Sequence, residues 1–201
     1  MADSDHKSVL ILASSSPQRR QLLASAGIPF QVVDPPLAEP DGHVSSLPPA
    51  ERAEALAYFK ARTVADQHPD AIVLAADTVV SEGGRVLGKP TDAADARRML
   101  AAISGTRHQV ITGIAVVYPH GRRVIASDIT YVTMRKMSPE EIERYVASGE
   151  WIDKAGAYAI QLTADRYVQK LEGSFTNVVG LPMELVTRLL CGPLAERDRQ
   201  G

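Results

Sequence analysis

The residues of this chain with the clearest capacity for chemistry lie where apolar runs end. Asp77 closes the run Ala71 to Ala76 within Ala75-Ala-Asp-Thr-Val79, and a carboxylate at the carboxyl end of an apolar strand lies where open α/β sheets form their ligand crevice. Such a group can act as a general base or hold Mg²⁺ or Mn²⁺ through its oxygens. A plain turn cap is the competing reading of Asp77 alone. A second group, Ala13-Ser-Ser-Ser-Pro-Gln-Arg-Arg20, falls between a buried strand and a helix, whose first N–H groups lack intrahelical partners and attract anions. There Ser14 to Ser16 can donate hydroxyls, Pro17 suits the first helical position, and Arg19 or Arg20 can grip a phosphate with forked donors. The segment lacks the glycines and the Gly-Lys-Ser/Thr ending of a P-loop.

Weaker signals follow. Lys89 stands between Gly88 and Pro90 and can meet a phosphate as a point charge, as can Lys60 on a helix. His108 precedes a strand without an evident partner, which favours a structural role over catalysis. In Asp153-Lys-Ala-Gly-Ala-Tyr-Ala-Ile-Gln161 the small residues permit close backbone approach to a ligand, and the Gln161 amide can pair with a base edge. Gly173 to Asn177 reads as a turn before a helix.

These groups need elements to position them. Val9 to Ala13 reads as a buried strand, Pro17 to Ala26 as a helix and Phe30 to Val33 as a second strand. The segment from Asp34 to Pro49, with Pro35, Pro36, Pro40, Pro48 and Pro49, reads as a long loop. Ala50 to Gln67 is expected to be a helix with Leu56, Phe59 and Val64 on its apolar side. Ala71 to Ser81 is expected to be a strand turning at Glu82-Gly-Gly-Arg85, and Ala93 to Ile103 a helix. Val110 to Tyr118 and Val124 to Met134 read as an antiparallel pair joined at Pro119-His-Gly121. Ser138 with Glu141 forms a capping-box pattern for a helix ending at Gly149, and Leu181 to Leu190 is a final helix. Strands interleaved with helices plus one hairpin region predict an α/β fold with a mixed central sheet.

The 201 residues, 45% hydrophobic, suffice for one domain or two tightly packed lobes, and a single domain over 1–201 is expected, with 1–7 and 196–201 as flexible tips. The formal charge of −2 provides no global cationic field for nucleic-acid binding, so no nucleic-acid partner is expected. One cysteine, Cys191, cannot form an intrachain disulfide, no zinc spacing is present, and no apolar run is long enough for a signal core or membrane span. A cytoplasmic protein without membrane association is expected.

Taken together, Leu12-Ala-Ser-Ser-Ser-Pro-Gln-Arg-Arg20, Ala76-Asp-Thr78, Gly88-Lys-Pro90, Ser104-Gly105 with His108 and Thr112-Gly113, Asp153-Lys-Ala-Gly156 and Val179-Gly-Leu-Pro182 resemble the Maf family of nucleoside triphosphate pyrophosphatases over nearly the whole chain. The resemblance implies a Maf/ITPase-like mixed twisted sheet flanked by helices, with two lobes around an active-site cleft. It implies Asp77 as general base or metal-linked carboxylate, Arg19, Arg20, Lys60 and Lys89 on the triphosphate, and Glu39 as a second acidic position beside Mg²⁺ or Mn²⁺.

Three positions separate the branches of that family, here Gln18, Thr78 and Gln161, the last in the strand after Lys-Ala-Gly. Thr78 and Gln161 look like the branch acting on dTTP and UTP; the 7-methyl-GTP branch carries Gln and Glu there. Gln18 matches neither the Arg of the first branch nor the Trp of the second. The implied reaction is hydrolysis of a nucleoside triphosphate, with dTTP and UTP as substrates, to monophosphate and pyrophosphate. Rival readings are a pyrophosphatase of 7-methyl-GTP or other non-canonical purine triphosphates and a non-enzymatic nucleotide-binding regulator of cell division. A homodimer is left open.

Overall fold

The computed structural model describes residues 9–35 and 44–191. The proposed tips and Glu39 lie outside the described residues. Three long strands carry the architecture: β3 (Ile72–Glu82), β5 (Arg107–Val117) and β6 (Arg123–Met134) form a continuous antiparallel ladder. Two short strands, β1 (Leu10–Ala13) and β2 (Gln31–Val33), add in parallel on one side, with the helix α1 (Pro17–Ser25) between them. β7 (Val168–Glu172) closes the other side and β4 (Arg85–Leu87) returns onto the end of β3, which gives seven strands in the order β2-β1-β3-β5-β6-β7, with β4 branching from β3. The mixed α/β sheet expected from the sequence is present. Parallel pairing is confined to β1 with β2 and β3, strands that α1 and α2 connect, since only a crossover can join parallel neighbours.

Helices cover both faces. On one lies α2 (Pro49–Ala65), whose Ala53, Ala57 and Ala61 are fully buried beside Leu56 and Val64. Phe59 is only half-buried, which corrects the expectation that it shares the core stripe. Alanines recur at that stripe because the helix backbone lies almost on the sheet: a Cβ added to Gly113 of β5 would fall 2.3 Å from the Ala53 carbonyl carbon. On the opposite face α1 and α6 (Met183–Cys191) enclose Leu12, Leu74, Ile114 and Leu181, while α3 (Ala93–Ile103) and α4 (Pro139–Ser148) pack a separate core around Leu100, Ile103, Met134 and Tyr145. These two cores are the two lobes, and the sheet runs through both.

Local chemistry fixes several boundaries. Ser138 and Glu141 form the reciprocal capping box of α4, and Gly149 ends that helix with φ 74°. Asp92 caps α3 by accepting from the Asp95 N–H at 2.8 Å. The β3–β4 turn places Gly83 and Gly84 at φ 54° and 80°, the left-handed pair that a two-residue hairpin requires. A short helix α5 (Phe175–Val179), capped by Ser174, precedes Gly180. The segment following Lys-Ala-Gly is a turn rather than a strand: residues 155–157 make one 3₁₀ turn and no strand resumes until Val168. Positive φ at Asp153, Gly156 and Ala157 explains this, because three left-handed residues within five cannot lie in an extended ladder.

Candidate active site

A gap in strand pairing creates the site. β5 pairs with β3 continuously from Val73 to Ser81, but on the opposite edge β1 covers only Ile72 to Leu74 and β4 only Val80 to Glu82. Between these short strands the edge from Ala75 to Val79 has no strand partner among the described residues, and a cleft of about 640 Å³ opens there, a volume suited to a small-molecule ligand. Asp77 and Thr78 sit at the middle of the gap. Because neighbouring strand residues point to opposite faces, Asp77 faces α2 and Thr78 faces α1 and α5, and both line the cleft.

On the α2 side, Lys60 forms an ion pair with Asp77 Oδ1, and the side chains are 21% and 14% exposed. Lys60 lies seven residues from Ala53, two turns along the same stripe, so the close seating of α2 at Gly113 carries its ammonium to the carboxylate. Its place is thus on Asp77 itself, at the cleft wall. Asp77 Oδ2 retains no protein partner among the described residues.

On the other side, Arg19 is held by three donors: Nε to Gly180 O at 2.8 Å, Nη1 to Ser14 Oγ at 3.3 Å and Nη2 to Thr78 Oγ1 at 3.1 Å. A guanidinium has five N–H groups, so two remain. Burial pulls the Arg19 pKa down and the nearby Asp77 charge pushes it back up. A guanidinium stays charged in proteins, and a desolvated cation with spare donors favours an anion. Ser14 Oγ also accepts from the Ser16 N–H at 3.2 Å, and Ser16 Oγ donates to Gln18 Oε1 at 3.1 Å. No side chain caps the first turn of α1, so its amide N–H groups remain available to the cleft.

The structure brings Ser14, Ser16, Gln18, Arg19, Lys60, Asp77, Thr78, Lys89 and Gln161 to the same cleft. Arg20 is not among its lining residues: its guanidinium bonds Asp34 Oδ1 at 3.0 Å and Ser14 O at 3.4 Å. Arg20 follows Arg19 in the helix and points about 100° away. Lys89 is exposed and 3.7 Å from the Asp153 carboxylate, a loose pair that leaves it mobile toward a ligand. Gln161 is exposed in the turn that forms the far wall. Lys154 is a further cation on that wall that sequence reasoning missed; its position within Asp153-Lys-Ala-Gly was the available signal.

His108 is 1% exposed and bonded through Nε2 to Tyr158 Oη at 2.9 Å. Burial depresses its pKa to about 4, so it stands neutral behind the cleft wall and outside the lining. Among the described residues no group of three or more His, Cys, Asp or Glu could hold a metal by itself, and no helix is long and apolar enough to cross a membrane.

Relatives of known name match most of the chain. A dTTP/UTP pyrophosphatase of Moorella thermoacetica is 51% identical over 184 residues, 91% of this chain and 94% of the relative. One of Symbiobacterium thermophilum is 48% identical, covering 90% and 92%. The solved structure of the Staphylococcus aureus Ham1 protein shares the fold with a TM-score of 0.51 at 13% identity, covering 91% of this chain and 98% of that one. The family profile described as Maf-like protein matches residues 9–192, and with these relatives it places the chain in the Maf-like family.

Proposed function

We propose that the protein is a nucleoside triphosphate pyrophosphatase that hydrolyses dTTP and UTP to the monophosphate and pyrophosphate. The observation that carries this reading is the meeting, at the unpaired edge of β3, of one carboxylate with a free oxygen, Asp77, and the cations Arg19, Lys89 and Lys154. The names of the relatives at 51% and 48% identity support the base preference.

In this reading the triphosphate lies against Arg19, the open first turn of α1 and Lys89. Asp77 Oδ2 takes a proton from a water, whose oxygen attacks the α-phosphorus. The bond from that phosphorus to the bridging oxygen of the β-phosphate breaks, and the electron pair leaves with pyrophosphate. Lys60 holds the other carboxylate oxygen so that Oδ2 faces the reacting water. Arg19 and Lys89 stabilise the charge gathering on the departing oxygens. Oδ2 has two lone pairs, so beside a phosphate site it can meet an ion as well as the reacting water. This fits Mg²⁺ or Mn²⁺, ions that take one or two carboxylates and complete their shell with substrate phosphates and water; Asp77, with Glu39 as a second ligand, would hold the ion, which when bound would polarise the phosphates. Release of pyrophosphate from a panel of canonical and modified triphosphates, with each metal, tests the proposal. Turnover of dTTP and UTP well above 7-methyl-GTP is expected; the reverse order would move the protein to the purine reading.

A further inference from the structure

Behind Thr78 runs a chain of buried hydrogen bonds whose direction can be assigned. Thr112 Oγ1 lies 3.1 Å from the Asn177 carbonyl oxygen and 3.0 Å from Thr78 Oγ1. A carbonyl only accepts, so the one hydroxyl proton of Thr112 goes to Asn177, and Thr112 must accept from Thr78. Thr78 therefore spends its own proton inward and meets the Arg19 Nη2–H with a lone pair. The far end is equally fixed. Asn177 Nδ2 donates to Val110 O at 3.0 Å and Thr130 Oγ1 at 2.9 Å, which sets the amide orientation and anchors α5 to β5 and β6. Thr112, Thr130 and Asn177 are fully buried, and Gly180, whose carbonyl holds Arg19 Nε, would bring a Cβ within 3.4 Å of Thr78 Oγ1.

We propose that Thr112 and the main chain of Asn177 are positioning groups: they fix the direction of the Thr78 hydroxyl proton and so hold the Arg19 guanidinium toward the triphosphate. Thr78 then acts through Arg19 and not as a donor to the base, although it occupies a position that separates substrate branches. The inference rests on the proposed placement of the triphosphate against Arg19. When Thr112 loses its hydroxyl, the Thr78 proton has no inward acceptor and can turn against the Arg19 N–H, which loosens the cation without touching the cleft surface.

The test measures binding of inorganic tripolyphosphate, a base-free probe, by calorimetry to the full-length protein. Thr112→Val keeps the shape and removes the hydroxyl, and is expected to weaken binding about tenfold, on the order of one hydrogen bond to a charged group. Thr112→Ser keeps the hydroxyl and leaves a small cavity; it is expected to melt at lower temperature yet bind within about twofold of the parent. Thr78→Val, at a half-buried position, removes the middle oxygen and should match Thr112→Val, and the double variant should be no worse than either alone. Unchanged binding by Thr112→Val, or an equal loss in Thr112→Ser, would overturn the proposal. Failure of the parent to bind tripolyphosphate, or parent-like binding by Arg19→Lys, would instead overturn the placement of the triphosphate, and this inference with it.

Discussion

Asp77 and Gly113 are direct partners across the β3–β5 ladder. The missing side chain of one positions the charged partner of the other. Gly113 lets the α2 backbone descend onto the sheet, and α2 delivers Lys60 to Asp77. Gly113→Ala would place a methyl 2.3 to 2.4 Å from the Ala53 carbonyl and the Glu54 nitrogen, backbone atoms that can move only with the helix. The expected cost is about 1–3 kcal/mol, read as a lower midpoint in urea denaturation. The activity remaining at a temperature where the variant is folded should also be reduced, because Lys60 is lifted from Asp77.

The two adjacent arginines are expected to behave differently. Arg19→Lys removes the fork that spans Gly180, Ser14 and Thr78, and a point charge cannot reproduce it; steady-state kinetics should show kcat/KM for dTTP down by about 10²-fold or more. Arg20 turns to Asp34, with side chains 40% and 66% exposed, a pairing that contributes about 0–1 kcal/mol at most. Arg20→Ala should therefore lose much less activity than Arg19→Lys. Equal losses would show that Arg20 swings into the cleft with substrate.

Stability should depend on pH through His108. Burial lowers its pKa from 6.5 to about 4 in the folded protein, so between those values the unfolded chain binds the extra proton. The stabilisation is fully present above about pH 6.5 and is lost as pH falls toward 4, with a total on the order of 3 kcal/mol. Denaturation midpoints measured across this window should fall with acidification, and His108→Gln should flatten that part of the profile. An identical slope in the variant would assign the effect to other groups.

Much of this arrangement is legible in the sequence because it is local. The apolar run ending at Ser14 marks the end of β1, the run Ala71 to Ala76 marks the first half of β3, which continues through Asp77, the Ser138–Glu141 box marks α4, and the glycine pair marks the β3–β4 turn. What escapes local reading is set by distant partners. Lys60 reads as a helical cation for a phosphate until Gly113 brings α2 onto the sheet and seats it on Asp77, and Arg20 is distinguished from Arg19 only by helical phase and by Asp34. The strand that the resemblance implies around Gln161 is absent, since positive φ at 153, 156 and 157 turns the chain immediately before it and Gln161 sits in a turn. The buried chain from Thr112 to Asn177 joins positions 65 residues apart and leaves no pattern in either segment.

The role of Asp77 in pyrophosphate release is tested with dTTP as substrate, comparing the parent with Asp77→Asn, followed with an inorganic pyrophosphatase couple in the presence of Mg²⁺ or Mn²⁺. The parent is expected to form the monophosphate and pyrophosphate in equal amounts. Asp77→Asn is expected to retain the parental circular dichroism spectrum while losing about 10²- to 10⁴-fold in rate, the range expected for loss of a general base. Orthophosphate as the primary product, or near-parental pyrophosphate release by Asp77→Asn, would contradict that role.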